Sequence, residues 1–183
     1  MIKKRGLIQI SKNKRAQIWI ETVTYTLIGL TIIGALMAVL LPRIQQMQDK
    51  ATINEITNSL NAINNQFTEV TLYSGSQREI FLRINKGFYT LDPVNELFYY
   101  TLKDSGLKYS QPGESIQSGD IIITTIAKTP KKYDITLMLN YSYFNITYQD
   151  KDVEKVFAGA AVPYRLLIQN KDGPNKQINF EQI

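Results

Sequence analysis

KRAQIWIETVTYTLIGLTIIGALMAVLLPR, residues 14–43, is the stretch that decides how this chain is built. Its centre, Thr22 to Leu41, runs 20 residues without a charge. As a helix rising about 1.5 Å per residue it covers about 30 Å, the thickness of a bilayer's hydrocarbon core. Ahead of it, residues 1–16 hold Lys3, Lys4, Arg5, Lys12, Lys14 and Arg15 and no acid. An excess of Lys and Arg keeps its flank of a membrane helix in the cytoplasm, so the N-terminus is expected inside and the remaining chain outside. Glu21 stands at the entrance to the apolar run. A carboxylate near hydrocarbon costs roughly 2.5–3.5 kcal/mol even on lenient insertion scales, so the position asks for a partner charge.

A secretory signal has a shorter apolar core followed by a small-residue cleavage site. Here the apolar run is long and leads into Pro42-Arg43. The one plausible processing site precedes it, between Ala16 and Gln17. A basic pair, a small residue, a Gln and an acid four residues later resembles the class III signal peptide of archaeal type IV pilins. The resemblance rests on Lys14, Arg15, Ala16, Gln17 and Glu21 and covers about residues 12–67. It implies that a prepilin peptidase cuts after Ala16 and that the apolar helix stays on the mature protein, with Gln17 first and Glu21 fifth. Bacterial type IV pilins share the Glu but usually begin with a methylated Phe after Gly, so Gln17 points to the archaeal branch. Archaellins share the processing but generally lack this Glu. Ala16 stands where Gly is commoner.

What the resemblance implies is a structural subunit of an archaeal type IV pilus-like surface filament. The precursor would lie in the cell membrane with a cytoplasmic N-terminus, and the assembled form in an extracellular pilus. Partners would be copies of this chain or other pilins, the prepilin peptidase, the pilus assembly platform and the membrane. Cleavage would create an α-amine on Gln17, and Glu21 of one subunit would pair with that amine of another. Pairing offsets much of the cost of holding both charges in low dielectric. The macrodipole, at about 0.3–1 kcal/mol, explains an acid in any first helical turn. It does not explain that acid together with the triplet upstream and the retained apolar helix. One rival is a monomeric single-pass anchor carrying an external β binding domain, in which Glu21 has no task; the other is an external enzyme or envelope-maintenance factor tethered by the same helix.

The net charge of +5 suggests nucleic acid only until its distribution is seen. With the six basic residues of 1–16 set aside, 15 basic and 16 acidic residues remain, a net of −1. The basicity therefore orients a membrane helix, and no nucleic-acid partner is expected. The remaining basic tract around Lys131-Lys132 lies at a Pro130 turn. With no Cys and no His, disulfides, thiolate or imidazole metal sites and Cys or His nucleophile systems are excluded. There is no Gly-rich phosphate loop, no nucleophile elbow and no acid pair at a telling spacing. No enzyme, catalytic residue, metal or cofactor is expected.

Beyond Pro42, where a bend is expected, Ile44, Met47, Ala51, Ile56, Leu60, Ile63 and Phe67 recur mostly at three- and four-residue steps. One helix is thus expected over 17–67, with its membrane part at about 18–41. Gly34 and Ala38 form a small-xxx-small pair suited to close helix approach. Trp19 and Tyr25 suit the membrane interface. Strand-like runs follow at Glu69–Tyr73, Arg78–Arg83, Gly87–Leu91, Leu97–Leu102, Ile121–Ile126, Asp134–Gln149, Val162–Gln169 and Gln177–Phe180. Ser105–Gly119 suits a loop, and Lys171-Asp172-Gly173-Pro174 a turn. The expected fold class is α+β: a long N-terminal transmembrane and assembly helix, then an extracellular antiparallel β-sheet domain of six to eight strands over 68–183, a pilin-like layout. The leader is 1–16. Asn140-Tyr-Ser142 and Asn145-Ile-Thr147 match the N-glycosylation sequon. In one regular strand, residues five apart face opposite ways, so at most one is expected to face solvent cleanly.

Overall fold

The computed structural model describes residues 14–171 and 177–183, with side chains from Ile18 onward. The basic leader as far as Asn13 and most of the turn at 171–174 lie outside the described residues. Helix α1, Lys14–Leu72, has 59 residues and includes Pro42. The chain divides into two compact units between Arg43 and Ile44, so the second part of α1 belongs with the β domain. That division differs from the boundary at 67/68 expected from composition.

In the first unit, no described residue of 18–43 is buried by its own chain. The segment is helical because its backbone bonds close locally and it holds no Pro before 42. Its four Thr hydroxyls also donate inward, as described below.

In the second unit, α1 buries Asp49, Ile53, Ile56, Leu60, Ile63, Phe67 and Val70. Their steps alternate strictly between four and three, which keeps one stripe facing the sheets. The sequence stripe therefore needs correcting at its start. Ile44, Met47 and Ala51 are exposed, and an aspartate takes the inward place. Strands follow in the order β1 (Gln77–Leu82), β2 (Phe88–Asp92), β3 (Leu97–Ser105), β4 (Ser115–Ser118), β5 (Ile121–Thr129), β6 (Lys132–Asn140), β7 (Asn145–Tyr148), β8 (Lys155–Ala158), β9 (Tyr164–Asn170) and β10 (Gln177–Gln182). A six-stranded sheet has the order β4-β5-β6-β3-β2-β8, and a four-stranded one β1-β9-β10-β7. Neighbours are antiparallel except β10 and β7, which run parallel. Ten strands stand among the described residues where six to eight were expected.

Alternation sets the inward faces. Phe98, Tyr100 and Leu102 of β3, Ile135, Leu137 and Leu139 of β6, and Ile121 and Ile123 of β5 are buried while their neighbours are not. These residues, the helix stripe and Leu166, Ile168, Ile178 and Phe180 of the smaller sheet form one core. Phe67 joins the layers, stacking on Tyr141 at 3.8 Å between centroids and lying 6.3 Å from Phe180. Four strand expectations change. Glu69–Leu72 finishes α1, because Val70 completes the helix stripe. Ser115–Ser118 in the expected loop is the edge strand β4. Lys155–Ala158, which has no long apolar run, is strand β8 because β2 supplies its pairing. Asp134–Gln149 breaks at 141–144, where the chain leaves β6 for β7 in the other sheet.

Glu96 ties that break to the β2–β3 turn. Its backbone oxygen accepts from Tyr141 N at 2.8 Å and its carboxylate from Ile146 N at 2.7 Å. Burial raises the Glu96 pKa above its ordinary 4.5, the Ile146 N–H opposes this, and Asp152 and Asp92 add to it. An acid raised in the folded state costs stability above its unfolded pKa, and the cost vanishes as pH falls below that value. Glu96→Gln keeps an oxygen for Ile146. It is expected to melt no lower than wild type at pH 7, with any gain gone by about pH 4. Thermal melts followed by tyrosine circular dichroism check this, and a clear loss of stability at pH 7 would refute it.

Candidate functional site

The first candidate surface is the apolar part of α1. An 18-residue window within Ile18–Leu72 has a mean hydropathy of 2.2, and the helix is long and apolar enough to cross a membrane. Leu27, Leu30, Ile33, Leu36, Met37 and Leu40 are all exposed. Soluble monomers rarely leave a contiguous apolar patch above a few hundred Å² uncovered, so this surface belongs against lipid or other protein.

Its polar groups are arranged to suit such surroundings. Thr22 donates to Ile18 O at 3.0 Å, Thr24 to Ile20 O at 2.8 Å, Thr26 to Thr22 O at 2.8 Å and Thr31 to Leu27 O at 2.7 Å. Each hydroxyl proton is satisfied four residues back along its own helix, which removes the cost of an unpaired donor in hydrocarbon. The run of Thr at 22, 24, 26 and 31 was the available signal in the sequence.

Gly34 and Ala38 are exposed on this helix, and a side chain added at Gly34 or Gly29 would meet none of the described residues within 4 Å. Glycine costs a helix about 0.5–1 kcal/mol relative to Ala, and the chain's own packing gives no reason for it here. Glu21 lies on the exposed helix. The side chains of Lys14, Arg15, Ala16 and Gln17 lie outside the described ones, and their backbone is the first turn of α1. Pro42 falls within α1, one residue before the division between the units.

The second candidate is a buried carboxylate that sequence reasoning missed. Asp49 is fully buried on the inward stripe of α1. It accepts from Ser105 Oγ at 2.8 Å and Gly106 N at 2.8 Å, and pairs with the Lys86 ammonium. Ser105 Oγ in turn accepts from Leu107 N at 3.0 Å. Burial pushes the Asp49 pKa up, but Lys86, Ser105 and Gly106 outweigh it and hold it below the ordinary 3.8. Lys86 is presented by a turn in which the Tyr100 hydroxyl donates to Lys86 O. Gly87 follows with φ 75°, and a Cβ there would collide with Tyr100 and the Thr101 carbonyl. Only glycine fits on both counts. Stepping back four residues from Ile53 along the stripe lands on Asp49, which is how the sequence could have revealed it.

The sequons separate. Asn140 ends β6 and is exposed, while Asn145 opens β7 half-buried, with Thr147 buried behind it. They lie in different strands of different sheets, so the opposite-face argument for a single strand does not apply. Among the described residues, no three His, Cys, Asp or Glu side chains gather as a metal site would need. Comparison of the chain with protein-family models, curated proteins and solved structures finds no match. The chain is an α+β protein: a membrane-capable N-terminal helix followed by largely antiparallel sheets.

Proposed function

We propose that this chain is a structural subunit of an archaeal type IV pilus-like filament, made as a membrane precursor and cleaved after Ala16. The observation that carries the reading is the uncovered apolar helix of 18–43. Its hydroxyls are satisfied internally and its glycines pack against none of the described residues outside the helix. A plain anchor needs apolar length alone. A helix meant to pack against others also gains from small positions such as Gly34 and Ala38 and from a fixed charge such as Glu21. In this reading Glu21 pairs with the Gln17 amine of a neighbouring subunit and sets axial register, and the β domain forms the outer face of the filament.

Mass spectrometry of the intact chain from its native membrane tests the processing step. The expected mass begins at Gln17. A mass that retains residues 1–16 would leave a monomeric single-pass anchor with an external β domain and sink the filament reading.

A further inference from the structure

A groove of about 450 Å³ lies between the C-terminal part of the helix stripe, the β4–β5 hairpin and the 141–144 turn. Small-molecule sites span about 300–1,000 Å³. Its lining includes Asn64, Gln117, Asp120, Tyr141 and Tyr143, together with Asn140 itself. Asn64 Nδ2 donates to Asp120 Oδ2 at 2.8 Å, which fixes a carboxylate and an amide side by side on one wall. Tyr141, nearly fully buried, has a hydroxyl with no hydrogen-bond partner among the described residues. Tyr143 is 91% exposed. Paired polar groups beside an open aromatic ring suit a sugar, whose hydroxyls take the hydrogen bonds and whose C–H face rests on the ring.

The occupant is identified by the acceptor on the rim. Asn140 is exposed, and Ser142 N donates to its Oδ1 at 2.9 Å. A donor on the carbonyl oxygen makes the Nδ2 protons more acidic, which eases the proton loss that frees the nitrogen's electron pair for attack. Nδ2 donates no hydrogen bond among the described residues, and Ser142 is exposed for an enzyme to contact. The second sequon lacks these features. Asn145 is half-buried, and the Thr147 hydroxyl is buried and donates to Asn179 Oδ1 at 3.0 Å.

We infer that Asn140 is the glycosylated residue of this chain, that Asn145 is not, and that the first sugars of the Asn140 glycan lie in the groove against Tyr143. This rests on the part of the proposed function that puts the β domain outside the cytoplasm. The donor is an oligosaccharide carried on a polyisoprenyl phosphate. Nδ2 loses one proton, which passes to a basic group of the transferring enzyme, as it bonds to the anomeric carbon. The bond from that carbon to the phosphate oxygen breaks, and the lipid phosphate leaves with the electron pair.

The test uses the full chain from its native membrane, as wild type, Asn140→Gln, Ser142→Ala and Asn145→Gln, by intact mass and glycopeptide sequencing. Wild type and N145Q are expected to carry one glycan, on Asn140, and N140Q and S142A none. A glycan on Asn145, or none at all, overturns the inference. Iodination of Tyr143 tests the seat. It is expected to run about tenfold slower in wild type than in S142A, the occupancy that 1.4 kcal/mol of contact gives. Equal rates overturn the seating. A chain that begins at Gln17 without a glycan refutes this inference and leaves the filament reading. A glycosylated chain that keeps residues 1–16 does the reverse.

Discussion

In the proposed filament, Glu21→Ala and Glu21→Gln are both expected to stop growth while leaving the β domain folded. The carboxylate sits at the start of an apolar surface that its own chain leaves uncovered. In a filament the neighbouring subunit's helix would bring its Gln17 amine into the same low-dielectric region. Removing one partner strands the other, and a buried charge without its partner is the costliest arrangement of the pair. The subunit concentration needed for elongation should therefore rise by about two orders of magnitude or more, as for the loss of one partner of a desolvated pair. Gln keeps the shape and loses the charge, so its failure assigns the effect to electrostatics. The measurements are filament mass sheared from cells, chain abundance in the membrane and the mature N-terminus. Normal filaments from both variants would remove Glu21 from assembly and leave helix packing alone to hold the subunits.

Asp49→Ala is expected to destabilise the second unit by about 3 kcal/mol, lowering its melting temperature by about 10 °C. The aspartate is the shared acceptor for Ser105 Oγ, Gly106 N and Lys86. Ala would leave the buried Ser105 hydroxyl and the half-buried Gly106 N–H without an acceptor. Lys86 is 41% exposed at its side chain and can recover water, which keeps the loss at the lower end for a broken buried pair. Asp49→Asn retains oxygen for one donor and should lose about half as much. The pH dependence follows from the sign of the shift. The folded pKa lies below 3.8, so the contribution is fully present above that value and is lost as pH falls below it towards the folded pKa. D49N should lack this acid limb. Urea titrations at pH 7 and pH 3 measure both effects, and a D49A variant as stable as wild type would show that the cluster contributes nothing.

The membrane-capable helix was legible because it depends on composition and local hydrogen bonding. Twenty uncharged residues between Glu21 and Pro42 suffice to specify it. Most strands were legible too, from β-branched and aromatic runs such as Ile121–Ile126. The sequons and the Lys14–Glu21 pattern are short motifs that need no tertiary context to be seen. Asp49 was hidden because an acid among Gln, Lys and Thr looks like a solvated face until the sheets come to lie over it. Strand β8 was hidden because its pairing with β2 reaches across more than sixty residues.

The sequence by itself thus determined a basic N-terminal segment, an apolar helix of membrane length, an amphipathic continuation and a β-rich remainder, since each is set by neighbours within one or two turns. Only the tertiary structure decided that Asp49 is an interior anchor, that Asp134–Gln149 serves two sheets, that β7 and β10 run parallel, and that Asn140 is exposed where Asn145 is half-buried. Each of these depends on which distant segment arrives to bury a surface or to supply a hydrogen bond. The pattern of a strand or a helix face carries no record of that partner.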